Sequence, residues 1–153
     1  MCISLTEQIC LGAQLLAQVL GAEVIAAPTK EIGWFPIELT AAAQAHPWFQ
    51  DWPSQLTVLH WHGEMFSLPT DVILLAKSAA CLQQGFLWGD RVVGLQFHLE
   101  VTSASFGELI RHCQHELVRG SFIQSATEIQ AQAAQTALLT PHLEHLLDRW
   151  ISP

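Results

Sequence analysis

The sequence predicts an α/β domain in which helices flank a mixed sheet. Three observations carry that prediction. Strand-like and helix-like segments are interleaved early, strands cluster in the middle, and helices close the chain. Half of the 153 residues are hydrophobic and only 13% are charged, enough apolar side chain for a sizeable core and too few charges for a disordered chain. No repeat or linker-like stretch divides the sequence, so a single domain is expected over residues 1–153.

The elements follow from local pattern. Leu11, Leu15, Leu16, Val19 and Leu20 recur at helical spacing, and Gly21 is a natural stop. Val24-Ile25-Ala26-Ala27 is a short apolar run ended by Pro28, read as a strand, and Trp34 to Thr40 alternates around Pro36, which places it on a sheet edge. Ala41 to Gln55, with Pro47 and Pro53, reads as helix or loop over the surface. Leu56 to Trp61 is a strand running out into His62-Gly63-Glu64, and Val72 to Ala76 is a continuous apolar strand. Gln83–Trp88 and Arg91–Phe97 flank Gly89-Asp90, a hairpin signal. Ser103–Val118, Ala126–Leu139 and Pro141–Trp150 are helical, the last with Thr140 as N-cap and Pro141 in its first turn.

Charge and cysteine content exclude several function classes. Net charge is −8, with two Lys and four Arg, so no basic patch can be assembled for nucleic acid or anionic lipid. Cys2, Cys10, Cys81 and Cys113 are unevenly spaced without a C-x-x-C pair, as expected of reduced thiols in a cytoplasmic protein. The N-terminus has no signal-peptide pattern, and the most apolar stretch, Leu11 to Pro28, is interrupted by Gln14, Gln18 and Glu23 and cannot span a bilayer. The six tryptophans read as core and rim rather than as a base-stacking platform.

Two clusters carry candidate chemistry. Cys10 stands where an extended segment meets a helix, the position of a nucleophile elbow, where the helix N-terminus favours a thiolate. At the end of a strand, Gln96-Phe97-His98-Leu99-Glu100 puts His98 and Glu100 two residues apart, pointing the same way, so the carboxylate can orient the imidazole. Nucleophile, base and orienter form a general hydrolytic arrangement. Taken singly, Cys10 reads as a buried helix-opening cysteine and His98 as a satisfied strand-end histidine. His60-x-His62 with His98 is a conceivable metal site, but no Cys or acid completes an obvious ligand set, and no metal or other cofactor is expected. His112, His115 and Glu116 read as a solvated helix face, and Cys81 and Cys113 as structural thiols.

Together, Cys10-Leu11-Gly12-x-Gln14 and Gln96-Phe97-His98-x-Glu100 closely resemble the class I glutamine amidotransferases. Glu31-Ile32-Gly33-Trp34-Phe35-Pro36, His60-Trp61-His62-Gly63-Glu64-Met65-Phe66-x-Leu68-Pro69 and Cys81-x-x-Gln84-Gly85-Phe86 look like the GMP-synthase-like branch, and the resemblance spans nearly the whole chain from Ile9. It implies a flavodoxin-like mixed sheet, Cys10 as nucleophile, His98 as base and Glu100 as third member of the triad. It further implies the Leu11 N–H as an oxyanion donor, Gln14 lining the glutamine pocket, and Gly63 and Glu64 near the amino-acid end of the substrate. The implied reaction is hydrolysis of L-glutamine to glutamate and ammonia through a γ-glutamyl thioester, with a separate synthase as the ammonia acceptor. The related γ-glutamyl hydrolases are an alternative with the same thiol chemistry.

The sequence also departs from the family. Leu99 replaces a more usual proline, and Gln8 stands where the first elbow glycine is expected, a substitution that can strain or displace Cys10. Only nine residues precede Cys10, so the family's N-terminal strands and the loop giving a second oxyanion donor are expected to be lacking. Cys2 to Gln8 does not read as the usual apolar nucleophile strand, because Thr6, Glu7 and Gln8 are polar. An N-terminally shortened domain is the resulting expectation, with an uncovered sheet edge that permits self-association. A catalytically silent remnant or binding subunit of the same fold is the competing reading.

Overall fold

A computed structural model describes residues 6–151; Cys2 lies outside the described residues. Six strands form one mixed sheet: β1 Thr6–Ile9, β2 Val24–Leu39, β3 Gln55–Phe66, β4 Val72–Lys77, β5 Gly85–Trp88 and β6 Val92–Leu95. Their order across the sheet is β1-β6-β5-β4-β2-β3. Only the β1–β6 pair is parallel, and it requires a crossover through most of the chain; the other pairs are antiparallel. A bridge between Leu59 and His98 brings β3, the last strand in the order, back against the chain leaving β6, so the sheet curls.

The helices divide between the two faces. Helix α1 (Leu11–Val19) packs Ala13 and Ala17 on Phe66 and Phe86. The larger core gathers Ile32, Trp34, Ile37, Phe49, Val58, Leu59 and Phe97 with Phe106 and Ile110 of α3 (Ser103–Cys113), Ile129 of α4 (Ala126–Ala131), and Leu139 and Leu146 of α5 (Gln135–Ile151). A five-residue helix, α2 (Ala41–Ala45), follows β2, capped by Thr40, whose hydroxyl accepts from the Ala43 N–H. Tryptophans 34, 52 and 61 are buried and 48, 88 and 150 are half-buried, as a core-and-rim role requires. Among the described residues, no helix is long and apolar enough to cross a membrane.

Four expectations are corrected. Pro28 does not end a strand: β2 runs from Val24 to Leu39, and a register shift between Ala26 and Glu31 absorbs the proline in a bulge. Thr6–Ile9 is a strand despite its polar residues, since backbone pairing with Val92–Leu95 holds it at the sheet's end. Pro141 does not start a helix. It lies inside α5, which gives up one backbone bond there because the ring leaves no N–H to donate. The helical segments expected over Ser103–Val118 and Ala126–Leu139 are shorter, ending at Cys113 and Ala131, after which the chain tightens into 3₁₀-type turns. Pro36 does fall on an open flank, because β2 meets β4 only at Glu38 and Leu39.

Among the described residues, β1 lies at the end of the sheet and pairs only with β6. Beside it, Leu11, Leu15 and Val19 of α1 are 62%, 54% and 83% exposed, an apolar stripe at four-residue spacing with nothing packed on it among the described residues.

Candidate active site

The parallel β1–β6 register delivers the two sequence clusters to one place. Ile9 stands opposite Leu95, and the Cys10 N–H donates to the Leu95 carbonyl at 2.7 Å, so the chain is still pinned to β6 when it turns into α1. Cys10 is the residue before the helix, with φ 51° and ψ −109°, a conformation an L-residue adopts only under constraint. Its side chain makes no cap hydrogen bond to the helix, which leaves the thiol turned to other partners. Gln8 does not displace it: the backbone at residue 8 stays in register with Gly94.

The chain leaving β6 supplies the remaining groups. The His98 N–H donates to the Leu59 carbonyl at 2.9 Å, fixing the residue between β6 and β3. Its Nδ1 lies 2.6 Å from Glu100 Oε1, and the Cys10 thiol is near enough to favour the charged ring. Burial disfavours the charged imidazole, but the nearby Cys10 and the bond to Glu100 outweigh it and raise the His98 pKa to about 9. Glu100 is pulled below its usual range: burial opposes this, and the His98 hydrogen bond and charge prevail. The structure thus brings together Cys10, His98 and Glu100 as the sequence suggested.

Gln14 is buried beneath this group, and its Nε2 donates to the Glu64 carbonyl at 3.3 Å and to Gln96 Oε1 at 3.2 Å. Gln96 is fully buried and in turn directs its Nε2 at Cys10 Sγ, 3.7 Å away. The thiol lies 3.8 Å from the Trp61 carbonyl. Gln96 is the residue that local reading passed over as a site member. Its signal was the two-residue alternation that places it on the same side as His98. Gly63 and Glu64 lie on β3, joined to Gln14 through the Glu64 backbone, and a Cβ at Gly63 would meet the Lys30 side chain at 2.9 Å. Leu11 is the first helical residue, with an N–H that has no intrahelical partner.

His60 and His62 do not share a site with His98. They face Glu31, across the β2–β3 ladder, where Glu31 pairs with His62 and Gly33 with His60. Glu31 Oε2 is 3.3 Å from His62 Nε2 and 3.8 Å from His60 Nδ1, with all three side chains at 1% exposure or less. The acid that no sequence pattern supplied is therefore Glu31, about thirty residues upstream. Burial pushes His60 down to about 4, against the attraction of Glu31, so that ring is neutral near pH 7. Elsewhere His112 joins Glu108 and Arg111 on an exposed helix face, as a solvated role requires. Cys81 is buried, with a pKa raised by that burial, and its Sγ donates to the Gln83 carbonyl.

Comparison with known proteins identifies the family of this chain. The family model "Glutamine amidotransferase class-I" matches residues 8–116. The glutamine amidotransferase-like protein YfeJ of Salmonella typhimurium is 43% identical over 126 residues, covering 80% of this chain and 53% of that protein. One subunit of the glutamine-hydrolyzing GMP synthase of Thermoplasma acidophilum is 37% identical over 101 residues, 65% of this chain and 49% of that one. The chain thus spans about half the length of these curated relatives. Among solved structures, a glutamine amido transferase from Methylobacillus flagellatus superposes with a TM-score of 0.88 at 32% identity, over 95% of this chain and 61% of that one. A glutamine amidotransferase from Thermotoga maritima gives 0.82 at 33% identity, over 96% and 62%.

Proposed function

Because the chain belongs to the class I glutamine amidotransferase family, we propose that it hydrolyses L-glutamine at Cys10, with His98 as base and Glu100 as its orienting acid. The observation that carries this reading is that the β1–β6 pairing sets Cys10, at the N-terminus of a helix, beside the chain leaving β6, where His98 Nδ1 lies 2.6 Å from Glu100 Oε1. Cys10 gives its proton to His98, which Glu100 keeps charged, before Sγ attacks the carbonyl carbon of the side-chain amide. The oxyanion of the tetrahedral intermediate is held by the Leu11 N–H and the positive end of α1. Collapse breaks the C–N bond, and His98 returns the proton to the leaving ammonia, which leaves a γ-glutamyl thioester on Cys10. Water, deprotonated by His98, attacks the thioester; glutamate departs and the thiol is restored. Glu100 keeps the imidazole in one orientation and favours its charged form during both transfers.

Gln14 and Gln96 are hydrogen-bonded to each other beside the thiol, and Gly63 and Glu64 lie on β3 next to Gln14; these are the residues assigned to substrate. Similarity to one subunit of a GMP synthase supports a separate synthase as ammonia acceptor, and the absence of a helix able to cross a membrane among the described residues is compatible with the cytoplasm. The exposed Leu11, Leu15 and Val19 stripe and the open β1 edge favour a second reading, in which the fold persists without turnover. Measuring glutamate release from L-glutamine by the purified chain separates the two. Release that is abolished by Cys10→Ala is the result expected from hydrolysis; a folded wild-type chain that releases none overturns it in favour of the silent reading.

A further inference from the structure

The cluster of Glu31, His60 and His62 is unused by the proposed hydrolysis, and its hydrogen bonds do not close. The His60 ring places Nε2 3.3 Å from the Phe35 carbonyl, so that nitrogen must carry the proton, and Nδ1 is left as a bare lone pair on the Glu31 side. His62 repeats the pattern: Nδ1 is 3.1 Å from the Glu64 carbonyl and must be the donor, leaving Nε2 toward Glu31. One ring nitrogen of each imidazole therefore faces the Glu31 carboxylate without a hydrogen bond.

The same atoms are orphaned. Glu31 Oε1, His60 Nδ1, His62 Nε2 and Gln84 Oε1 are all buried with no hydrogen-bond partner. His62 Nε2 is within reach of Glu31 Oε2 at 3.3 Å yet is misaligned for a hydrogen bond to it. Unsatisfied buried polar atoms are costly, so a group of them around one carboxylate calls for a shared partner. The three candidate ligand atoms lie within 4.8 Å of one another. A tetrahedral zinc ion with bonds of about 2.0–2.2 Å holds its ligand atoms roughly 3.3–3.5 Å apart, close to the 3.3 and 3.8 Å observed.

We propose that Glu31, His60 and His62 bind a zinc ion between β2 and β3, as a structural site separate from Cys10. The surroundings are those of a metal centre. Each imidazole gives its second N–H to a backbone carbonyl, which fixes tautomer and ring orientation. Gln84 Nε2 donates to Glu31 Oε2 at 2.7 Å and to Ser78 Oγ at 3.0 Å, holding the carboxylate in place. Two imidazoles and one carboxylate suit zinc in donor type and leave one position for Gln84 Oε1 or a water molecule. Complete burial makes the role structural: the ion would tie residue 31 of β2 to residues 60 and 62 of β3.

The test uses the whole chain, stripped with chelator, incubated with ZnCl₂ or CoCl₂ and desalted. The expected result is about one zinc per chain and a higher Tm than the stripped protein. Cobalt should show visible absorption of a tetrahedral nitrogen and oxygen site with no thiolate charge-transfer band. Cys10→Ser should retain the metal, whereas Glu31→Gln and His62→Asn should weaken binding by at least about 100-fold. If those variants fail to fold, wild-type stoichiometry and the cobalt spectrum decide the matter alone. Substoichiometric zinc in the folded wild type, a thiolate band, or full retention by a folded Glu31→Gln variant would each overturn the proposal. An imidazolium at His62 detected by NMR in metal-treated protein would assign the cluster to an ion pair instead. These readouts are independent of glutamine hydrolysis, so failure of either reading is seen apart from the other.

Discussion

Replacing Glu100 by Gln keeps the shape of the side chain and removes the charge that faces His98 Nδ1 at 2.6 Å. A hydrogen bond to a charged partner contributes about 1.5–3 kcal/mol. His98 is 15% exposed but Glu100 is 43% exposed, so solvent screening puts the contact at the lower end, about 1.5 kcal/mol. At about 1.4 kcal/mol per pH unit, the His98 midpoint should fall by about one unit from its value of about 9. The assay is a titration of the His98 ring followed by NMR between pH 5 and 10, in wild type and Glu100→Gln side by side. The linked stability has a definite sign. A raised histidine pKa adds stability that is complete below the unfolded value near 6.5 and is lost as pH rises through about 9. The lowered Glu100 pKa adds stability present above about 4.5 and lost on acidification. The difference in unfolding free energy between wild type and variant should therefore be greatest between pH 4.5 and 6.5 and shrink toward pH 9. A folded variant whose His98 midpoint moves by less than about 0.3 unit would refute the claim that Glu100 sustains the imidazolium.

Two further outcomes follow from backbone and packing. The φ of 51° at Cys10 stores strain of about 1–3 kcal/mol that glycine escapes and alanine does not. Cys10→Gly should accordingly be about 1 kcal/mol more stable to urea than Cys10→Ala, after the greater chain entropy of glycine is deducted, although both lack the thiol. Equal midpoints would show that the elbow is unstrained. At Gly94, a Cβ would stand 2.6 Å from Cε1 of Phe86, a fully buried ring in edge contact with Phe66. Gly94→Ala should cost about 1–3 kcal/mol in a urea melt, and an unchanged midpoint would mean the ring can yield.

Much of this protein can be read one segment at a time. The helix from Leu11, the hairpin around Gly89-Asp90, the Cys10 junction and the His98-x-Glu100 pair each rest on neighbours a few residues apart, and local pattern fixes them through periodicity and turn chemistry. Where sequence reading failed, a distant partner decided. Pro28 reads as a strand end because a proline cannot donate to a ladder, yet pairing with β3 carries β2 past it through a bulge. Thr6–Ile9 looks too polar for a strand, yet β6 supplies its backbone partners. Pro141 is held within α5, a helix whose Leu139 and Leu146 are buried in the larger core, so tertiary packing outweighs one missing bond.

The site divides along the same line. Local sequence specifies the reactive groups and their immediate geometry: a thiol at a helix entrance, an imidazole with a carboxylate two residues on. Which of them meet is a property of the folded sheet. The parallel β1–β6 register joins Cys10 to His98, and the β2–β3 ladder gives His60 and His62 to Glu31. Side-chain chemistry is local, but contact between residues 30 to 90 positions apart depends on strand order and register, which no short window of sequence contains.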